Sequence, residues 1–499
     1  MRSPSKWLDE RIDLAGIRGA LLDRSVPGNL TWWHTLGSAT LAVFTVQVVT
    51  GVVLAMYYSP SPDHAYDSIR YIDHTVASGA LLRGMHHWGA SAMVVLVLAH
   101  MIRVFTMGAY KYPREINWLL GVVLLFVVLA FSFTGYLLPW DQKAYWATQV
   151  GTNIAGTTPL VGGLIVRLLR GGSQLGAATL TRFYSLHVLL FPLTLGGVAL
   201  LHLIMVIRQG IAPRTRVLES EAPPRTDDPG YSEYYHDRYA KSKSTGVRFW
   251  PDIIAKDLAV ATAVIVLLFL LAKFVGAGLE PPADPTDTTY VPRPEWYFLP
   301  FFQLLKLVPG SLESAVAVGL PGALVLVLLL LPFFDRRSAR SIIHRPVAGF
   351  ALVFLLAGAG LLLGAAVREE PATAIAPEVG RSLTSIERAG RALFRSHQCG
   401  SCHQVGSQKP DTSADTPQAP DLTAVGLKHS PAWMHSFIED PGRFHPDSKM
   451  PPFGPPKLTH EEIEEVTRYL VSLRGPNWAT AKPEFVDTFP EPVKRVEQK

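Results

Sequence analysis

Seven stretches of this chain stay apolar long enough to cross a hydrocarbon layer, and polar, mostly charged segments separate them. They run near Trp32–Tyr57, Gly84–Phe105, Trp118–Leu138, Phe183–Ile207, Ile253–Val275, Ala315–Phe334 and Pro346–Val367. A transmembrane helix needs about 20 apolar residues to span roughly 30 Å of hydrocarbon. The expected fold is therefore all-α, a seven-helix membrane bundle. Basic residues crowd alternate connections: Arg11, Arg18 and Arg24 before the first span, then Arg103, Lys111 and Arg114. Arg208, Arg214, Arg216, Lys241 and Lys243 follow the fourth span, and Arg336, Arg337, Arg340 and Arg345 follow the sixth. The positive-inside rule places these in the cytoplasm. Asp63, Asp67 and Asp73 then lie opposite. An odd number of spans sends the C-terminal part to the far, positive side.

Beyond the seventh span the pattern changes. A polar linker is expected over 368–381, then a soluble domain over 382–478 and a tail over 479–499. The stretch Ile386 to Phe394 is amphipathic, and Thr459-x-x-Glu462 is a capping box that should open a helix running to Leu473. The membrane part divides into a four-helix portion, 31–210, and a three-helix portion, 211–367. Residues 1–30 form a weakly amphipathic surface segment whose apolar face would be Trp7, Leu8, Ile12, Ile17 and Leu21. No cleavable signal peptide is expected.

Composition agrees with a membrane protein: 48% of residues are hydrophobic and only 17% charged. The net charge of +5 needs no nucleic-acid partner, since cytoplasmic loops account for it. The two cysteines, Cys399 and Cys402, exclude a disulfide scaffold and a four-cysteine iron–sulfur cluster.

Polar side chains in lipid are costly and usually functional, which singles out four histidines. His86 and His100 lie in the second span, and His187 and His202 in the fourth. A spacing of fourteen returns a side chain to within about 40° of its starting face and raises it about 21 Å. The second and fourth spans are parallel in this topology. His86 therefore pairs with His187 on the positive side, and His100 with His202 on the cytoplasmic side. Two bis-histidine haem b sites stacked across the membrane result. The interval of fifteen on the fourth span rotates by about 60°, and Pro192 between the two histidines would bend the helix. Gly37 and Gly51 on the first span, and Gly121 and Gly135 on the third, repeat the interval of fourteen. Such positions let a flat macrocycle approach the backbone, or simply permit close helix packing. Arg83 and Arg103 lie three residues from His86 and His100, within reach of haem propionates; as plain end-of-helix charges they would snorkel.

Cys399-Gly-Ser-Cys402-His403 is a CxxCH, the attachment pattern of a haem c, with thioethers at the two cysteines and His403 as proximal ligand. Met450, in the Pro-stiffened string Met450-Pro451-Pro452-Phe453, is the candidate sixth ligand. Met434 is its rival, but it sits at helical spacing with Trp433 and Phe437 as a core residue would. His397, His429, His435 and His445 are expected at the surface.

The chain resembles cytochrome b of the Rieske/cytochrome b complexes, the quinol:cytochrome c (or plastocyanin) oxidoreductases, over roughly residues 25 to 365. Two further strings make the likeness specific: Gly135-Tyr136-Leu-Leu-Pro139-Trp140-Asp141-Gln142, and Pro294-Glu295-Trp296-Tyr297, the PEWY motif. The tail resembles a monohaem class I cytochrome c. The string from Thr181 to His187, the interval of fifteen and the seven spans place the chain nearer the chloroplast and cyanobacterial branch. Thr35 stands where that branch has a cysteine tethering a further haem, so no covalently held third membrane haem is expected.

The resemblance implies a Q cycle. Quinol would be oxidised at the positive side, with Glu295 accepting a proton and Tyr136 and Tyr297 shaping the pocket. One electron would pass to a mobile Rieske iron–sulfur protein, the other through the two b haems to quinone on the cytoplasmic side. The fused haem c would serve the electron-exit branch toward a soluble cytochrome c or terminal oxidase. Partners then include the quinone pool and a second copy of the complex, in a bacterial inner membrane with the cytochrome c domain outside the cytoplasm. A passive dihaem anchor for a dehydrogenase would explain the histidines but neither PEWY nor the last three spans. A haem–copper reductase would need further intramembrane histidines, which those spans lack.

Overall fold

The computed structural model describes residues 4–13, 16, 18–19, 22–28, 30–213, 224–285, 290, 293–368, 383–406, 419–475, 482–485 and 487. These fall into two compact bodies, the first ending at Arg368 and the second taking in the described residues from 383 onward together with Tyr290. The expected linker, apart from Arg368, and most of the expected tail lie outside the described residues, as do Ile17 and Leu21. Trp7, Leu8 and Ile12 are exposed on a short helix α1 (Pro4–Ile12).

Among the described residues, seven helices are long and apolar enough to span a membrane. They are α2 (Leu36–Ala55, preceded by a 3₁₀ turn from Trp32), α4 (Gly79–Thr106), α5 (Glu115–Tyr136) and α8 (Ala177–Gln209), then α10 (Ile254–Phe274), α12 (Gly310–Phe334) and α13 (Pro346–Arg368). Charge appears mainly at their ends and in senses that suit the helix dipole, Glu115 in the first turn of α5 and Arg103 in the last turn of α4. α2 packs along α4 and α5 along α8, while α10 lies against α4 and α12 against α5.

The interval of fifteen on α8 is taken up by a π-helical turn immediately before Pro192. Residues Leu186–Leu190 form a π-helical turn in which Phe191 N donates to Leu186 O, five residues back. That wider turn absorbs one extra residue, so His187 and His202 keep the face-to-face register that His86 and His100 hold on α4. Pro192 sits just after the π turn, in the first turn of the α-helical segment that follows.

Between the two histidine levels lies an apolar layer: Val43 from α2, Met93, Val94 and Val97 from α4, Leu125 and Val128 from α5, Leu195 from α8 and Leu268 from α10. The ends of the bundle are closed by polar stitching. At one end Lys111 Nζ pairs with Asp335 Oδ1 at 2.8 Å, and Arg345 Nη1 reaches Asp335 Oδ2 at 3.3 Å. Arg340 donates to Gly108 O and Tyr112 O, and Arg114 to the Tyr235 hydroxyl of α9 (Tyr231–Ser244). Burial lowers the Lys111 ammonium to about 8, and the lysine is 1% exposed. At the other end α3 (Ala65–His74), α6 (Gln142–Gly156), α7 (Gly162–Arg170) and α11 (Leu299–Leu307) fill the connections.

The second body is a small helical domain. α14 (Ser385–Ser396) and α17 (His460–Ser472) begin in capping boxes at Thr384 and Thr459. They cross closely: a Cβ on Gly390 would meet Glu465 O at 1.9 Å. Phe394 and Tyr469 pack across the crossing at 5.6 Å. Short helices α15 (Val425–Lys428) and α16 (Pro431–Glu439) complete it.

Candidate functional site

The structure brings His86 to His187 and His100 to His202, with ring centroids 6.2 and 6.4 Å apart. Neither pair is in mutual hydrogen-bond contact. A metal bound by one ring nitrogen from each side at about 2 Å would itself set the centroids roughly 6 Å apart. At the first level the tautomers follow from the partners. Phe131 O, which can only accept, lies 3.0 Å from His187 Nδ1. Thr50 Oγ1 gives its proton to Val46 O at 2.7 Å and so accepts from His86 Nδ1 at 2.9 Å. Both Nδ1 atoms are donors, which leaves two Nε2 lone pairs to serve a metal. At the second level His100 Nδ1 and His202 Nδ1 are buried and close no short hydrogen bond among the described residues, although the Asn117 backbone faces His202.

Each of the four glycines faces one of the four imidazoles. A Cβ on Gly135 would stand 2.4 Å from His187 Cε1, and on Gly51 3.1 Å from His86 Cε1. On Gly37 it would stand 3.2 Å from His100 Cε1, and on Gly121 3.7 Å from His202 Cε1. Gly51 and Gly37 are about equally close, so the two levels differ at Gly135, which is tight, and Gly121, which is looser. The two arginines differ as well. Arg83 Nε is paired with Asp73 at 2.7 Å and its other nitrogens bond to Ala277 O and Gly278 O. Its place is a tie between α4, α3 and the loop after α10. Arg103 keeps Nε and Nη2 buried without a partner among the described residues, which suits an anionic group such as a haem propionate.

The PEWY turn lies at the His86/His187 end. Phe298 N donates to Glu295 O at 2.9 Å, closing the turn, and Trp296 Nε1 reaches Ser91 Oγ on α4 at 3.3 Å. Tyr297 packs half-buried against the α4–α5 core. The Tyr136 hydroxyl points to Arg293 O at 3.4 Å. Glu295 Oε1 accepts from Lys143 Nζ at 2.7 Å.

In the second body Cys399 begins a 3₁₀ turn, and His403 N donates to Cys399 O at 3.0 Å. Pro420 O accepts from His403 Nδ1 at 2.9 Å, freeing Nε2. Burial pushes the Cys399 thiol up to about 11. Met450 packs half-buried against the same apolar cluster as Cys399, whereas Met434 is a core residue at 2% exposure. Of the histidines expected at the surface, only His445 is fully exposed; His397, His429 and His435 are half-buried. His429 is stacked on Trp433 at 3.8 Å and bonded to Asp487 at 3.1 Å.

Residues 21–210 match the family described as cytochrome b/b6/petB, and residues 282–386 its C-terminal counterpart, cytochrome b(C-terminal)/b6/petD. Residues 386–470 match cytochrome c oxidase, cbb3-type, subunit III. The menaquinol:cytochrome c reductase cytochrome b subunit of Bacillus subtilis is 45% identical over 41% of this chain and 96% of its own length. The chain belongs to the cytochrome b family.

Cytochrome b of Rhodospirillum rubrum is 37% identical over 73% of this chain and 86% of its own. Cytochrome b/c1 of Bradyrhizobium diazoefficiens is 34% identical over 76% of this chain, which spans about half (52%) of that relative. Among solved structures, a hyperthermophilic respiratory complex III chain superposes with a TM-score of 0.63, at 29% identity, over 74% of this chain and 93% of that one. This cytochrome b is the multi-pass membrane subunit of a quinol:cytochrome c reductase, and it carries a fused cytochrome c domain. Haem b and haem c are the groups that these two kinds of domain imply.

Sequence reasoning missed the residues that orient the cytochrome b histidines, Thr50 and Phe131, because a hydroxyl and a backbone carbonyl on neighbouring helices leave no spacing signal. It also missed Lys143. A lysine in the first turn of a helix, against the dipole, was the signal available.

Proposed function

We propose that the chain oxidises quinol at the His86/His187 end of its bundle and conducts one electron of each pair to the His100/His202 end. What supports this most is the placing of the PEWY turn, Tyr136 and Tyr297 beside the His86/His187 level. His86 with His187 and His100 with His202 would hold two haem b groups, seated against Gly51, Gly135, Gly37 and Gly121. Cys399, Cys402, His403 and Met450 would hold one haem c. Haem bound at these positions supplies one-electron chemistry, the transmembrane arm of a Q cycle whose other arm is a Rieske iron–sulfur protein.

The chain's own residues do the rest. Thr50 and Phe131 hold two imidazoles with Nε2 unprotonated. The layer between the levels excludes water. Glu295 takes a quinol proton at an apolar edge where a carboxylate can also turn toward solvent, and Tyr136 and Tyr297 wall the pocket. Arg103 neutralises an anion at the second level. The basic loops face the cytoplasm of a bacterial inner membrane and the cytochrome c domain lies outside it, delivering electrons to a soluble cytochrome c or terminal oxidase. The assembled complex is a homodimer.

A pyridine haemochrome spectrum of the purified chain tests the assignment. Two b haems per covalent c haem are expected; one b haem per c would refute the two-level pairing, and none would end the reading. The passive-anchor alternative is separated by Glu295→Gln in the assembled complex, which slows quinol oxidation only if the chain itself handles the quinol's proton.

A further inference from the structure

Lys143 belongs to neither histidine level, yet the fold delivers it to the quinol pocket. It is the second residue of α6, whose first turn is capped by Asp141, the Oδ1 of which accepts from Ala144 N at 2.8 Å. That turn carries a partial positive charge, so an ammonium is disfavoured there unless an anion faces it. The anion is Glu295, at 2.7 Å, with the lysine side chain 31% and the glutamate 18% exposed.

Both partners stand on anchored backbone. Gln142 N donates to Pro281 O at 2.9 Å, Asp284 N to Gln142 Oε1 at 3.1 Å, and Glu280 N to Asp141 Oδ2 at 3.1 Å. Opposite, the turn at Glu295 is held by Phe298 N and by Trp296 on Ser91. The Tyr136 ring lies under the ammonium, 5.4 Å from Nζ. The other charged or titratable groups around the pair are Arg83 and His87 from α4, Asp141 at the cap, and Tyr297 from the PEWY loop, while the Arg293 guanidinium is turned to Ala366 O.

We propose that Lys143 is a positioning residue for quinol oxidation, holding Glu295 as an aimed carboxylate until the quinol's proton arrives. The proposal rests on Glu295 being the proton acceptor. Nζ engages Oε1, and a quinol hydroxyl can bond to Oε2. Its O–H bond breaks, the proton forms a new O–H bond on Oε2, and the electron pair stays on the quinol oxygen. The neutral carboxyl then loses its attraction for the ammonium and is free to turn away. The cation left behind favours release of that proton to water over its return.

The test compares Lys143→Met, Lys143→Arg and Glu295→Gln in the assembled complex, with turnover and quinol KM measured across pH and haem spectra confirming assembly. A carboxylate deprived of its cation loses its fixed aim at the quinol hydroxyl. Lys143→Met should therefore lower turnover roughly tenfold while the quinol KM stays close to native. Lys143→Arg should keep the native profile. A Lys143→Met profile that superimposes on the native one, with Glu295→Gln slowed, overturns this proposal and leaves the role of Glu295 standing. Unaffected turnover in Glu295→Gln removes both. Should Lys143→Met fail to assemble, Lys143→Gln takes its place, and native turnover in that variant overturns the proposal while a loss that Lys143→Arg avoids supports it.

Discussion

At the His86/His187 level each Nδ1 has an acceptor, and glycine contact is as close as the 2.4 Å that a Cβ on Gly135 would leave. At the His100/His202 level the Nδ1 atoms close no short bond among the described residues, the contact at Gly121 opens to 3.7 Å, and a buried guanidinium keeps two donors without a partner among those residues. One repeat of fourteen residues thus builds a tight, oriented site and a looser, more electropositive one. Two like sites would give an electron no reason to leave the first. Fixed positive charge near the second stabilises the reduced state there and so sets a direction.

Substituting the glycines breaks the comparison most severely. Gly135→Val should eliminate the first b haem and halve the b-type absorbance of the purified complex, because a side chain there collides with the His187 ring. Gly121→Ala should keep both haems, since its methyl would meet His202 at ordinary contact distance. Arginine replacement comes next. Arg103→Leu should lower the midpoint potential of the second haem and bring the two b-haem potentials together in a redox titration. Arg83→Leu should leave both potentials in place and instead lower the thermal midpoint, as a half-buried ion pair worth about 1–3 kcal/mol is lost. The smallest effect belongs to Thr50→Val. It removes one hydrogen bond of about 1 kcal/mol and the basicity it lends His86, so the first haem's potential should rise slightly while the second stays fixed.

Most of the membrane architecture was legible in the sequence, because lipid leaves little choice. A helix that must satisfy its own backbone announces itself by twenty apolar residues, and an imidazole among them stands out at once. The pairing of histidines followed from the order and direction of the spans. Contacts between positions far apart in the chain were not legible. Arg83 looked free for a propionate until Asp73 and the loop after α10 took up its donors. The interval of fifteen on α8 pointed to Pro192, although the extra residue is absorbed by a π turn that periodicity alone does not distinguish from a bend. The helices α6 and α7 went unnoticed because they are short and lie across the end of the bundle.

Lys111 and Arg345 on Asp335, together with Arg340 on Gly108 O and Tyr112 O, join the connection after α4 to the connection after α12. They hold the four-helix portion to the three-helix portion with contacts that owe nothing to the peptide bonds between them. Covalent continuity is then a convenience of synthesis, fixing the two portions at equal copy number, and an ancestor or descendant of this chain could be made as two polypeptides without losing its architecture.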